Sequence, residues 1–257
     1  MRIQVINGNT FEPMTAGIAT SAISACAPET EIIAAQPNTG PESIESYYDE
    51  YLAIPGILEV IVQAELQAES KVNSPIDAFV IACWGDPGIE AAREITTRPV
   101  VGIAEASMYV ANLIAARWGV ITTQHRTRRM IEHTIHKTGF AHRCVSICTT
   151  GIPVTKTETD RQTTVDILAI EAEKAVKRDR VEAFCLGCAG MTGLDVELEQ
   201  RVGIPFIDAV AAGVKLAESL VALGKTNSKH LTYQRPTAKP FQGYPAHMQP
   251  QNWRSST

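Results

Sequence analysis

Ile76-Asp-Ala-Phe-Val-Ile-Ala-Cys83-Trp-Gly-Asp-Pro-Gly88 aligns without a gap onto Val181-Glu-Ala-Phe-Cys-Leu-Gly-Cys188-Ala-Gly-Met-Thr-Gly193, every residue lying 105 positions before its counterpart. Ala78-Phe79 falls on Ala183-Phe184, Gly85 on Gly190 and Gly88 on Gly193. Each stretch is an apolar run that ends in a cysteine and a glycine-containing loop. Pro99 and Pro205 then open strand-like runs one residue out of step, and Val5-Ile6-Asn7 falls close to Val120-Ile121-Thr122. The chain reads as two copies of one β-α-β lobe.

Working outward, the short apolar runs Ile3 to Ile6, Phe79 to Ala82, Val100 to Ile103, Gly119 to Ile121, Phe184 to Leu186 and Pro205 to Ile207 are bounded by Gly, Pro, Asn or Thr. Such runs, apolar on both faces, are those of buried parallel strands. Between them, Met14, Ile18 and Ala22, then Ile57, Ile61 and Leu66, then Met108, Asn112 and Ala116 recur at helical spacing. So do Val165, Leu168, Ala172 and Val176, and finally Val210, Val214, Ala217 and Val221. Strand alternating with helix predicts an α/β fold. Residues 1–103 are expected to form the first lobe and 104–208 the second, with helix 209–224 returning to the first. Residues 225–257, with Pro236, Pro240, Pro245 and Pro250, show no period and are read as an arm, either disordered or lying on a neighbouring subunit. A homo-oligomer is expected.

The 257 residues suffice for a large core or for two lobes sharing a cleft. With 45% hydrophobic and 20% charged residues the composition is that of an ordinary globular protein. A net charge of −5 offers no positive field to phosphates, so neither nucleic acid nor an anionic membrane is an expected partner. No apolar stretch approaches the roughly 18 residues of a membrane span. Six irregularly spaced cysteines do not form a secreted disulfide framework, and the chain is placed in a reducing cytoplasm.

Cys83 and Cys188 stand where strands end, the edge at which open α/β sheets place ligands. Asp86 before Pro87, and Thr192 with Asp195, resemble helix caps, so each thiol is expected to precede a helix start that lowers its pKa. Amides of Gly85, Gly88, Gly190 and Gly193 are candidates to hold a carboxylate or a developing enolate. Asn7, Asn9, Thr10, Thr122 and Thr123 add side-chain donors at the same edge. Two thiols, one ionised and one protonated, on opposite sides of a substrate carbon suit a 1,1-proton transfer that inverts a stereocentre without cofactor or metal.

These residues resemble the Asp/Glu racemase superfamily, in its hydantoin racemase branch, which includes allantoin racemases. The likeness spans roughly residues 1 to 224 and is carried by Ile6-Asn7-Gly8-Asn9-Thr10, Ala82-Cys83-Trp84-Gly85-Asp86-Pro87-Gly88, Val120-Ile121-Thr122-Thr123 and Leu186-Gly187-Cys188-Ala189-Gly190-Met191. It implies two pseudo-symmetric, Rossmann-like (flavodoxin-like) lobes with parallel sheets and the active site between them. It further implies Cys83 and Cys188 as the acid/base pair, with Asn9, Thr10, Gly85, Thr122, Thr123 and Gly190 holding a small-molecule substrate. Asp86 and Met191, on the same loops, complete the candidate contacts. Amino-acid racemases usually follow their first cysteine with Asn-Thr, whereas Trp84-Gly85 stands here, which disfavours free aspartate or glutamate. Gly8 stands where the family usually has Pro. A 5-substituted hydantoin is the expected substrate, because its C5 proton, between a carbonyl and an acylated nitrogen, is more acidic than that of an amino-acid carboxylate. Allantoin is the nearest alternative. Aspartate or glutamate racemisation, isomerisation of a cis-dicarboxylate as in maleate isomerases, and malonate decarboxylation are more remote.

Plainer readings apply elsewhere. Cys26, Cys144 and Cys185 are read as small apolar side chains. A zinc site drawn from Cys144, Cys148, Cys185 and Cys188, and a non-catalytic binder, are the alternatives from another class. His125, His133, His136 and His142 are read as a solvated helix face and Arg126, Arg128 and Arg129 as an outer charged surface. Asp208 either orients a substrate or caps the last helix.

Overall fold

Alternate residues of the central strands point into different cores, which is why their sequences are apolar on both faces. Ile3, Val5, Ala78 and Val80 enter one cluster, while Ile6, Phe79 and Ile81 enter a second on the opposite side of the sheet. Val120, Ala183 and Cys185 join the first cluster from the other sheet, and Ile121, Phe184 and Leu186 enter a third. The computed structural model describes residues 1–70 and 74–253. In order, β1 (Arg2–Asn7), α1 (Glu12–Ala25), β2 (Glu31–Ala35), α2 (Tyr47–Glu69), β3 (Ala78–Ala82), α3 (Ile89–Ile95) and β4 (Val100–Gly102) are followed by α4 (Ile103–Ile114). Then come β5 (Trp118–Thr122), α5 (Arg128–Lys137), β6 (Cys144–Thr149), α6 (Lys156–Thr159), α7 (Arg161–Asp179), β7 (Ala183–Leu186), α8 (Asp195–Val202), β8 (Phe206–Ile207) and α9 (Ala209–Ala222).

The sheets run β2-β1-β3-β4 and β6-β5-β7-β8, and every pairing is parallel. Val5 pairs with Val80 in the first as Val120 pairs with Cys185 in the second, and Phe79 pairs with Val100 as Phe184 pairs with Phe206. The α/β architecture with two matching lobes therefore follows the internal repeat. Helices α1, α4 and α9 lie between the sheets, contributing Met14, Ile18, Met108, Ala111, Val210 and Val214 to the core they share. Parallel order puts the carboxyl ends of β1, β3, β5 and β7 around one cleft.

Two strands escape the sequence pattern. β2 and β6 flank their sheets and are only partly buried. Cys144-Val-Ser-Ile-Cys-Thr149 interleaves Ser and Thr with its apolar residues, and in Glu31-Ile-Ile-Ala-Ala35 the apolar run is only four residues long, with Ile32 and Ile33 packed partly against opposite cores. Helix α2 begins at Tyr47, well before its regular apolar spacing, with the Ser46 hydroxyl accepting from Asp49 N–H.

The expected caps are also redistributed. Asp86 does not cap the helix that follows it, whose N-cap is Gly88 with φ +72°. Its carboxylate instead accepts the Ala104 and Glu105 N–H groups, both at 2.9 Å, and so caps α4. The chain turns back at Cys83, whose carbonyl accepts from Gly85 and Asp86 N–H, and this aims Asp86 at the end of the adjacent strand β4. Gly102 makes the approach possible, since a Cβ there would lie 2.1 Å from Asp86 Cγ. Burial and the Glu105 carboxylate push Asp86 up to about 7 against the pull of the two amides.

Thr192 and Asp195 likewise form no capping box. Thr192 donates to Asp208 Oδ2 at 2.6 Å, and α8 starts without a side-chain cap. Asp208 caps α9 through Val210 and Ala211 N–H, and it also accepts from the Ser21 hydroxyl and from Gly193 N–H, so its role is that of a buried junction.

The C-terminal segment lies along its own chain, over α2 and α3. Asn227 donates to Thr96 O, and the Lys229 ammonium donates to Arg93 O and Glu94 O, carbonyls left open at the end of α3. Tyr233 faces the Arg93 guanidinium at 5.9 Å, and His247 bonds Glu59 at 2.7 Å. Contacts of this kind need no periodicity, and the prolines hide none. Among the described residues no helix is long and apolar enough to cross a membrane.

Asp208→Ala is expected to lower the unfolding free energy by roughly 2–4 kcal/mol, from a lost helix cap and lost charge-assisted hydrogen bonds. Urea unfolding measures it, and a change within about 0.5 kcal/mol, the range of an ordinary surface substitution, would contradict the junction role.

Candidate active site

The carboxyl ends of the four central strands deliver Asn7, Cys83, Thr122 and Cys188 to one cavity between the sheets. Asn9, Gly85 and Thr123 line it as well. It measures about 60 Å³, room for about four to six water-sized groups at roughly 10–15 Å³ each.

Most polar side chains here are committed to the protein. Asn7 Nδ2 donates to Asn9 Oδ1 and to Thr15 Oγ1, both at 2.9 Å. Asn9 Oδ1 also accepts from Phe11 N–H, while one Asn9 amide hydrogen reaches the Met14 sulfur at 3.3 Å. Thr122 donates to Gly187 O and Thr127 to Gln124 O. Trp84, nearly buried, fixes its indole N–H on Ser107 of α4 at 3.1 Å. Gly8 leaves room for the first thiol, because a Cβ there would lie 3.1 Å from Cys83 Cβ.

Four sequence-derived candidates lie outside this lining. Thr10 spends its hydroxyl and its N–H on Pro41 O. Asp86 is turned to α4. Gly190 packs against Thr157 and Met14, and Met191 is wholly buried in the core of the second sheet. The Gly85 amide is also unavailable to a ligand, since it bonds Cys83 O at 2.9 Å.

Conversely, Ile44, Glu50, Thr127, Met130, Ile131 and Val154 line the cavity from α2, α5 and the adjoining loops. None belongs to a strand end, and no local motif marks them. Their only sequence signal is placement after the edge strand of a lobe or at a helix start. The lobes also touch here, Glu45 Oε1 accepting the Val154 N–H at 2.9 Å.

Neither thiol heads a long helix. Five residues separate Cys83 from Ile89, and Cys188 is followed by a single 3-10 turn, Ala189–Met191, before α8. Burial pushes Cys83 well above the ordinary thiol range, and the proximity of Cys188, Glu50 and Asp86 adds to it. The expected lowering by a helix end is thus overturned at Cys83: desolvation and like charge outweigh it. Burial also raises Glu50, against the opposing charges of His133 and Lys137. Among the described residues no group of three or more His, Cys, Asp or Glu is placed to hold a metal ion.

The sequence pattern of the Asp/Glu/hydantoin racemase family matches residues 3–217. The chain belongs to that family, and it is an isomerase. It is 48% identical over 243 residues, 95% of each chain, to a hydantoin racemase of Pseudomonas sp. (strain NS671). Among solved structures it resembles an allantoin racemase from Klebsiella pneumoniae, with a TM-score of 0.89 and 40% identity over 95% of this chain and 96% of that one. An allantoin racemase from Pseudomonas fluorescens matches with a TM-score of 0.86 and 37% identity over 95% of this chain and 100% of the other. Within the family, then, this chain falls in the hydantoin/allantoin racemase branch.

Because alkylation follows the thiolate fraction, Cys83 should react with iodoacetamide at least about tenfold more slowly at neutral pH than a peptide thiol of pKa about 8.5. The rate should still be climbing at about pH 9.5, where that peptide has levelled. Peptide mass spectrometry reads both rates, and a plateau for Cys83 near pH 8 would contradict the raised pKa.

Proposed function

We propose that the protein racemises 5-substituted hydantoins by transferring the C5 proton between Cys83 and Cys188. The observation carrying this reading is that the repeat-related thiols line one and the same cavity. One thiolate removes the C5 proton, the electron pair moves into the C4 carbonyl to give the enolate, and the protonated thiol on the other face returns a proton to C5. The sulfurs have then exchanged protonation states, and the reverse reaction can begin. Repulsion between two neighbouring thiolates opposes ionisation of both at once, and burial with the nearby Cys188 holds Cys83 well above the ordinary thiol range.

The enolate oxygen needs a donor. Thr123, whose hydroxyl makes no hydrogen bond among the described residues, and the second amide hydrogen of Asn9 are the groups assigned to it. Gly85 and Thr122 complete the walls. Ile44, Met130, Ile131 and Val154 provide an apolar side for the C5 substituent. Allantoin, a hydantoin with a ureido group at C5, is the second reading, favoured by the names of the two solved relatives. The free state of all six cysteines fits a cytoplasmic setting.

In deuterated buffer, chiral 5-benzylhydantoin, 5-isobutylhydantoin and allantoin are to be followed by polarimetry and mass spectrometry. Racemisation with deuterium incorporated at C5 is expected, fastest on the alkyl or aryl hydantoins. Cys83→Ala and Cys188→Ala should each lower the rate at least about a thousandfold, within the span of general acid-base catalysis. Each variant should still exchange the hydrogen of the one enantiomer that presents it to the remaining thiol. Inversion that retains the original hydrogen, or full racemisation by either variant, would overturn the mechanism.

A further inference from the structure

Glu50 is the one carboxylate lining the cavity among the described residues. It sits in the first turn of α2, where a carboxylate is favoured by the helix end. A Cβ on Gly85 would lie 3.3 Å from Glu50 Oε1, so the carboxylate reaches the loop that follows the first thiol. Asn7, Asn9, Thr122, Thr127 and Trp84 of the lining have protein partners, but the Glu50 carboxylate, like the Thr123 hydroxyl, makes no hydrogen bond or ion pair among the described residues. His133 and Lys137 face it from α5, and Lys137 is engaged by Glu90. A cavity-lining acceptor without a protein donor is open to a donor on a ligand.

We infer that Glu50 is a specificity-determining residue that accepts a ring N–H of a neutral cyclic ureide and, by its charge, turns away substrates bearing a free carboxylate. The inference rests on the hydantoin reading above and extends it from the reacting carbon to the remainder of the ring. A hydantoin offers two N–H donors, at N1 and N3. A carboxylate accepts them strongly, because a hydrogen bond to a charged acceptor is about twice as strong as one between neutral groups. A site built around such a bond discriminates steeply against an analogue lacking the donor. An amino acid would set its own carboxylate in the same small space, where like charges repel.

Wild type, Glu50→Ala and Glu50→Gln are to be compared on 5-benzylhydantoin and on its N1-methyl and N3-methyl derivatives. On the parent, Glu50→Ala should lose at least about tenfold in kcat/KM, chiefly through KM, and Glu50→Gln, which keeps an acceptor oxygen, should recover part of that loss. On one of the two N-methyl substrates, wild type and Glu50→Ala should agree within about twofold, since the bond is already absent. An equal loss on all three substrates, or none on the parent, would overturn the role of Glu50. A wild-type protein that racemises no hydantoin would instead overturn the reading on which it rests.

Discussion

Everything at the cavity depends on the layer of helices held in common by the two sheets. Met14 and Ile18 of α1, Met108 and Ala111 of α4, and Val210 and Val214 of α9 are buried at or near zero exposure, in one core that receives side chains from both sheets. Such a core resists small displacements, because close-packed interiors respond to loss of even one methylene. The spacing of the two sets of strand ends is therefore set by packing well behind the cavity. Asp86 reinforces it by tying the loop after Cys83 to the start of α4.

The electrostatic character of the cavity follows from what has been removed from water. Cys83 is raised by burial, Glu50 is raised by burial, and among the described residues the lining around them holds no Lys or Arg, only thiols, one carboxylate, neutral polar side chains and apolar groups. The opposing groups that act on Glu50, His133 and Lys137, both lie on α5. In such surroundings an added negative charge is costly, and a neutral ligand that becomes anionic only as it reacts avoids much of that cost. The proposed chemistry has this form, with the enolate as the transient anion and donors placed to meet it.

The fold was legible because β3 and β7, each buried on both faces, wrote the same pattern twice. The flanking strands β2 and β6 were not, since β2 offers only four apolar residues after Glu31 and β6 interleaves Ser146 and Thr149 with its apolar ones. Pro55 hid the first turns of α2, which pass through it without a break. At the cavity, Cys83, Cys188, Asn9, Gly85, Thr122 and Thr123 were readable as strand-end residues. Thr10, Asp86, Gly190 and Met191 share those loops but turn elsewhere, because sequence gives a loop residue's neighbours and not its direction. Glu50, Met130, Ile131 and Val154 arrive from helices and loops that only the three-dimensional arrangement brings close.

The duplication is imperfect where it matters. Trp84 and Asp86 follow one thiol, while Ala189 and Met191 follow the other, and Glu50 stands on one side only. Yet mirror-image forms of a small molecule have identical free energy in water, so a racemase must have the same kcat/KM in both directions whatever the shape of its walls. Handedness in the protein can then surface only as a trade: the antipode held more tightly is turned over proportionally more slowly. An unequal container thus treats its two contents even-handedly at equilibrium, and its lopsidedness is confined to how long each one stays.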